Sequence, residues 1–170
     1  MAVVVWLKRD LRMADHAPLA AAAAAGEPAL ALFVIEPAWL SSPEFDPQHL
    51  AFALQSLAPL RRELAARGLP LLVRTGPMVD VLQALQRELG ITQLLSHEET
   101  GPGWTWDRDR AVAAWCHAQG VAWQEWPQTG VVRRLKSRSG WAARWQRRMD
   151  AAVPPTPTGW RGAAVDMADL

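Results

Sequence analysis

Three short stretches carry residue types that could do chemistry. Residues 8–15 (KRDLRMAD) crowd Lys8, Arg9, Asp10 and Arg12 together. Such a group either ties loops into an ion-pair network or holds a polar or anionic ligand. Glu36 precedes Pro37. It is either an exposed loop acid or an acceptor for hydrogen bonds from a ribose or a ring N–H. His97, Glu98 and Glu99 open the third stretch, 97–106 (HEETGPGWTW), where Gly101 and Gly103 permit a tight loop. It reads equally as a solvated acidic turn and as one wall of a site. Asp15 stands ahead of a helical stretch with Pro18 in its first turn, which makes Asp15 the expected N-cap.

Several reaction classes lack their motifs. The 8–15 loop has no glycine, so a pyrophosphate cannot approach its backbone as in the dinucleotide fingerprint. There is no Walker A sequence and no G-x-S-x-G elbow. His16, His49, His97 and His117 show no metal-ligand spacing with cysteine or carboxylates. The single cysteine, Cys116, excludes a disulfide framework and a cysteine-based zinc site. Its apolar neighbours mark it as a core thiol. Asp107 and Asp109 read as charges favourable near a helix N-terminus. The residues suggest a binding crevice with no catalytic constellation.

The elements that must position these stretches follow from hydrophobic pattern. The chain has 170 residues, enough for one domain, and half of them are apolar. Continuous apolar runs at 2–7, 28–35, 69–74, 91–96 and 121–126 predict strands buried on both faces. Helical stretches at 16–25, 47–67, 78–89 and 105–119 separate them. Leu50, Leu54, Leu57, Leu60 and Leu64 recur at spacings of three and four in the second helical stretch. Gly26, Gly68, Gly90 and Gly120 mark the helix ends. Alternating strands and helices predict an α/β fold: a doubly wound five-stranded parallel sheet of order 3-2-1-4-5, a Rossmann- or flavodoxin-like three-layer sandwich. Ligands in such sheets bind beyond the carboxyl ends of the strands where the winding reverses, here between strands one and four.

The near-neutral net charge of +1 hides a split. Residues 1–130 hold 10 Lys/Arg against 14 Asp/Glu, and residues 131–170 hold 8 against 3. The expected organisation is an α/β domain over 1–130 and a basic, Trp-containing helix with a Pro-rich linker over 131–170. Residues 130–149 contain seven Lys/Arg and no acid, with Trp141 and Trp145 on one helical face. That helix either contacts nucleic-acid phosphates, stays solvated or packs on a further domain; two exposed indoles favour the last. Residues 153–159 (VPPTPTG) read as linker, and the last eleven residues look too short and polar to pack alone. Of the ten Trp, those at 115, 123 and 126 are expected in packing. No apolar run is long enough to span a membrane and the start is not a signal peptide, so the expected location is cytoplasmic, with no membrane partner.

The opening V-V-W-L-K-R-D-L-R-M-A-D-H-A-P-L (4–19) resembles that of the DNA photolyase/cryptochrome family. The likeness continues through F-V-I-E-P (33–37), the helix and strand at 49–76, R-D-R-A-V (108–112) and R-L-K-S-R-S-G-W (134–141). It covers about residues 3–150. The resemblance implies the amino-terminal α/β domain of a two-domain flavoprotein. FAD would sit in a carboxy-terminal helical domain, which would be this chain's own partner and would dock damaged DNA. An antenna chromophore, whether flavin, deazaflavin or folate, would bind the present domain. By position Lys8, Arg9 and Asp10 line one side of that pocket, and Glu36 meets the ring or ribose. His97, Glu98 and Glu99 close the other side with Thr105. Folate-type members carry Asn-Glu where this chain has Trp104 and Thr105, so folate is least supported. Trp104 and Trp106 have the bulk to fill the pocket themselves.

The whole protein is then expected to be a blue-light-driven deoxyribodipyrimidine photolyase, a lyase for DNA repair, with the 170-residue fragment inactive alone. A signalling cryptochrome and a stand-alone flavin- or nucleotide-binding module are the alternatives.

Overall fold

The computed structural model describes residues 1–167. Its elements are β1 (Ala2–Leu7), α1 (Ala17–Ala25), β2 (Ala29–Ile35), α2 (Pro37–Leu40), α3 (Pro47–Ala65), β3 (Leu71–Thr75), α4 (Met78–Leu89), β4 (Ile91–His97), α5 (Gly103–Gln119), β5 (Ala122–Trp126) and α6 (Trp141–Met149). The five strands form one parallel sheet in the order β3-β2-β1-β4-β5. β1 lies at its centre, with every residue buried.

Alternation along the strands sends side chains into two cores. Val4, Trp6, Leu30, Leu32 and Leu94 meet Leu82 and Leu85 of α4 and Val112 and Trp115 of α5. On the other face Val3, Val5, Leu7 and Phe33 meet Leu19 of α1 and Leu57, Leu60 and Leu64 of α3. Both faces must be covered, which is why the strands read as unbroken apolar runs. Gly90 and Gly120 end α4 and α5 in the left-handed region, at φ 64° and 67°. That turn feeds each helix directly into the next strand.

The tail departs from expectation. Trp160 donates its amide to the Arg67 carbonyl at 2.9 Å and its indole N–H to the Leu19 carbonyl at 3.1 Å. Ala29 and residues 161–163 exchange two backbone hydrogen bonds of 2.8 Å, forming a parallel bridge between Ala29 and Gly162. Residues 159–163 thus strap the amino ends of β2 and β3, and Ala163 is buried in the core. These residues do not pack alone; they pair onto the sheet through backbone hydrogen bonds, which need no apolar side chain and leave little pattern in the sequence. Residues 168–170, the end of that stretch, lie outside the described residues. α6 buries none of its residues, and Trp141 and Trp145 are each 41% exposed. Among the described residues no helix is long and apolar enough to cross a membrane.

Candidate functional site

The loop after β1 is built on a buried carboxylate. Asp10 is 1% exposed. Its Oδ1 accepts the Lys8 amide N–H at 2.8 Å. Its Oδ2 lies 2.5 Å from His97 Nδ1 at the end of β4 and 2.9 Å from His16 Nε2. His16, not Asp15, caps α1: its Nδ1 accepts the Leu19 amide N–H at 3.3 Å. Asp15 is instead a turn residue with φ 50°.

The three groups lie within 4.8 Å of one another, the spacing of a two-histidine, one-carboxylate metal set that the sequence did not reveal. The hydrogen-bond pattern opposes a metal. His16 Nδ1 is occupied as an acceptor, so the neutral ring carries its proton on Nε2, which lies buried 2.9 Å from Asp10 Oδ2 without an aligned hydrogen bond. Burial holds the His16 pKa below its ordinary value. Burial alone would raise Asp10, but the two imidazoles beside it, His16 and His97, hold it far below the carboxylate range.

This sets a pH dependence. Folded His16 stays neutral while the unfolded chain takes up a proton, so its contribution is present above about pH 6.5 and lost as pH falls below it. His16→Asn, whose amide can accept from Leu19 and donate to Asp10, is expected to remove that part of the slope. Urea titrations from pH 7.5 to 5 check this, and an unchanged slope in the variant would contradict it.

Arg108, in the second turn of α5, is the hub of a second network. Its guanidinium reaches Glu36 at 3.0 Å, Glu99 at 2.9 Å and Asp109 at 2.9 Å. Lys8 bonds Asp109 at 3.0 Å and approaches Glu125 of β5 at 3.8 Å. Arg133 joins Glu125 and Glu98 at 2.7 and 3.2 Å. The alternating charges therefore run from Glu36 on one side of β1 to Glu98 and Arg133 on the other. Arg9 pairs with Glu99 across the loop mouth.

Burial alone would lower the Arg108 pKa, but Asp109 and Glu36 outweigh it and raise it. Glu99 is lowered because Arg9 and Arg108 outweigh its burial. Glu36 is raised, since its burial exceeds what Arg108 returns. Lys8 is lowered by burial, which Asp109 only partly offsets. Removing Arg108 would leave Glu36 buried without its ion-pair partner, while Glu99 keeps Arg9 and Asp109 keeps Lys8.

A cavity of about 610 Å³ opens above the carboxyl ends of β1 and β2. Trp6, Phe33, Trp39, Phe52 and Trp104 supply its aromatic walls. Glu36, Glu99 and Arg108 supply a polar, charge-compensated part of its lining. Ser42 also lines it, with a buried hydroxyl that has no hydrogen-bond partner. Trp104 forms wall without filling the space. Trp106 does not line the cavity; Arg133 stacks over it, 5.7 Å from its ring centroid.

Of the residues expected at a pocket, Lys8, Arg9, Asp10, Glu36, Glu99 and Thr105 line the cavity. His97 and Glu98 do not. His97 turns inward to Asp10, and Glu98 turns away to Arg133. Thr105 spends its hydroxyl on the Pro102 carbonyl at 2.6 Å. The cavity also lies toward β2, α2 and α3 and not squarely between β1 and β4, because the Lys8–Asp109–Glu125 pairs cross that gap. Asp109, read as a helix-end charge, is a buried member of the network. Arg108 and His16 were missed as organisers; their signals were the R-D-R sequence at the helix start and the D-H ahead of α1.

Comparison with known proteins places this architecture. A cryptochrome DASH of Gloeobacter violaceus is 37% identical over 102 residues, covering 57% of this chain and 20% of that protein. One from Natronomonas pharaonis is 34% identical, covering 74% of this chain and 28% of the relative. A deoxyribodipyrimidine photo-lyase of Synechococcus is 30% identical, with coverage of 74% and 26%. The chain thus spans less than a third of these relatives. In solved structures, a Synechocystis cryptochrome matches with a TM-score of 0.79 at 18% identity, covering 99% of this chain and 39% of that one. The bacterial class III photolyase of Agrobacterium tumefaciens matches at 0.77 and 22%, with coverage of 96% and 36%. The archaeal photolyase of Sulfolobus tokodaii, solved with two FAD molecules, matches at 0.73 and 18%, with coverage of 95% and 38%. These neighbours share the fold, that of photolyase N-terminal α/β domains. The DNA photolyase family model itself matches residues 3–153, which takes in the sheet, both charge networks and α6, and the chain belongs to that family.

Proposed function

We propose that the cavity over β1 and β2 holds an antenna chromophore, and that the longer protein uses the captured blue light to drive FAD-dependent repair of pyrimidine dimers in DNA. The observation that carries the first part is the cavity lining. Five aromatic side chains surround a volume suited to a planar ring system, and the unpartnered Ser42 hydroxyl and the Glu36–Arg108 pair offer polar contacts. No acid–base pair is needed, because energy transfer asks only for fixed placement. The Sulfolobus photolyase, whose two FAD molecules imply a light-harvesting cofactor, supports the reading. A flavin or deazaflavin fits it; folate is less favoured at Trp104 and Thr105. The FAD of repair, the helical domain and the damaged DNA belong to the remainder of the protein. The Synechococcus relative named as a photo-lyase supports repair. The DASH relatives and an Arabidopsis protein named as a blue-light photoreceptor keep light sensing as the second reading. Repair by the full-length protein, assayed on thymine-dimer DNA under blue light, separates the two.

Titration of the purified chain with FMN, a deazaflavin and a reduced folate tests the cavity. Saturable binding with a shifted absorption band is expected. Glu36→Ala is expected to weaken it by about tenfold, since it removes an ion-pair partner from the cavity lining. Failure of all three ligands to bind would sink the antenna reading for this domain.

A further inference from the structure

Light absorption beside tryptophan carries a hazard. An excited flavin-like ring readily takes an electron from a nearby indole, and the excitation is lost. Trp6 lines the cavity and is 2% exposed. Its ring carries two cations at contact range. Lys8 Nζ lies 4.3 Å from the ring centroid and the Arg108 guanidinium 4.7 Å. Trp123 packs against Trp6 at 6.0 Å between centroids, and Lys8 lies 5.6 Å from that ring as well. Arg108 also lies 5.3 Å from Trp104, a second wall indole.

We propose that Lys8 and Arg108 suppress electron transfer from Trp6 to a light-excited chromophore in the cavity, and so keep its excitation available. The proposal rests on the antenna reading of the cavity. Its physics is electrostatic. A neutral indole attracts a cation to its negative face. An indole that has lost an electron is itself positive, and the two cations at 4.3 and 4.7 Å now repel it, an effect that their carboxylate partners reduce without reversing the order of distance at the ring. The electron would leave the Trp6 ring for the excited ring and return on recombination; raising the cost of the first step closes the cycle before it starts. Trp123 cannot relieve Trp6 by sharing the charge, because Lys8 faces it too.

The cations are held in place. Lys8 and Arg108 side chains are 6% and 10% exposed, and each is tied to carboxylates. Those carboxylates bond the ammonium and the guanidinium, whereas the charged groups over the ring are the two cations. This accounts for placing buried basic groups in a cavity wall that has no catalytic use for them. Trp39, the remaining wall indole, packs edge-on to Phe45.

The test places a dye in the cavity covalently, so it does not depend on which natural chromophore binds. Ser56→Cys, at a partly exposed position of α3 that lines the cavity, is labelled in a Trp39→Phe background with a maleimide-linked flavin. Cys116 does not compete, being buried with its thiol pushed up to about 11. The flavin fluorescence lifetime is then read. With Lys8 and Arg108 intact, Trp6→Phe is expected to leave it unchanged. Lys8→Met is expected to shorten it severalfold, Lys8→Arg to preserve it, and Trp6→Phe added to Lys8→Met to restore it. A severalfold lengthening by Trp6→Phe alone would overturn the proposal, because the indole would be quenching despite its cations. An unshortened lifetime in folded Lys8→Met would overturn it equally. Failure of free chromophores to bind bears on the antenna reading alone.

Discussion

Arg108→Met should destabilise the chain by about 3–5 kcal/mol, the largest effect expected of any single surface-to-site substitution here. The side chain is volume-matched, so packing survives while charge balance does not. Glu36 would remain buried without an ion-pair partner, and Glu99 and Asp109 would each keep only one cation, Arg9 and Lys8. The sign of the pH response identifies the cause. Carboxylates stranded in this way have folded pKa values above their unfolded ones, so the penalty is full at neutral pH. It shrinks as pH falls toward the carboxylate range and the acids take up protons. Denaturation curves at pH 7.5 and 5 measure it. A deficit that is independent of pH would point to lost packing and not to orphaned charge.

The second large effect lies at the far end of the sheet. Gly68 has φ 85°, and a Cβ there would sit 2.6 Å from the Trp160 carbonyl oxygen. Gly68→Ala therefore meets two costs, left-handed backbone strain and a clash with backbone that cannot rotate away. Relief requires the strap to lift. That gives up the Trp160 amide and indole hydrogen bonds and the Ala29 bridge. Together these amount to roughly 2–4 kcal/mol. Hydrogen exchange at the Ala29 amide should accelerate in step with the loss of stability. A variant within 0.5 kcal/mol of the parent, with that amide still protected, would show that the strap adjusts freely; this margin is about the scatter of neutral surface changes.

The fold was largely legible in the sequence because its signals are local. Each predicted strand begins and ends within two residues of the observed one, since both faces of the sheet demand unbroken apolar runs. Gly90 and Gly120 mark the helix ends because the left-handed turn favours glycine. The site was legible in part. Lys8, Arg9, Asp10 and Glu36 lie where strand ends must deliver them. Arg108 escaped, although its three partners include its neighbour Asp109, because Glu36 and Glu99 approach it only once the sheet has formed. His97 and Glu98 show the limit of reading a cluster as a unit. They are adjacent in sequence, yet one turns into the core and the other toward Arg133. The strap was illegible for a different reason: its hold is mainly backbone hydrogen bonding, which leaves little hydrophobic pattern to read.

That strap also bears on how the chain reaches its native state. It joins Ala29 to residues 161–163, which follow all five strands in the chain. All five strands can pair before those residues leave the ribosome, whereas the bridge at Ala29 cannot. With the sheet already paired, only the segment after β5 has to close onto Ala29, and that closure waits for residues 161–163 to emerge. The nascent sheet therefore spends an interval with the amino end of β2 unlatched, and the order in which the chain emerges makes the latch a late step of folding.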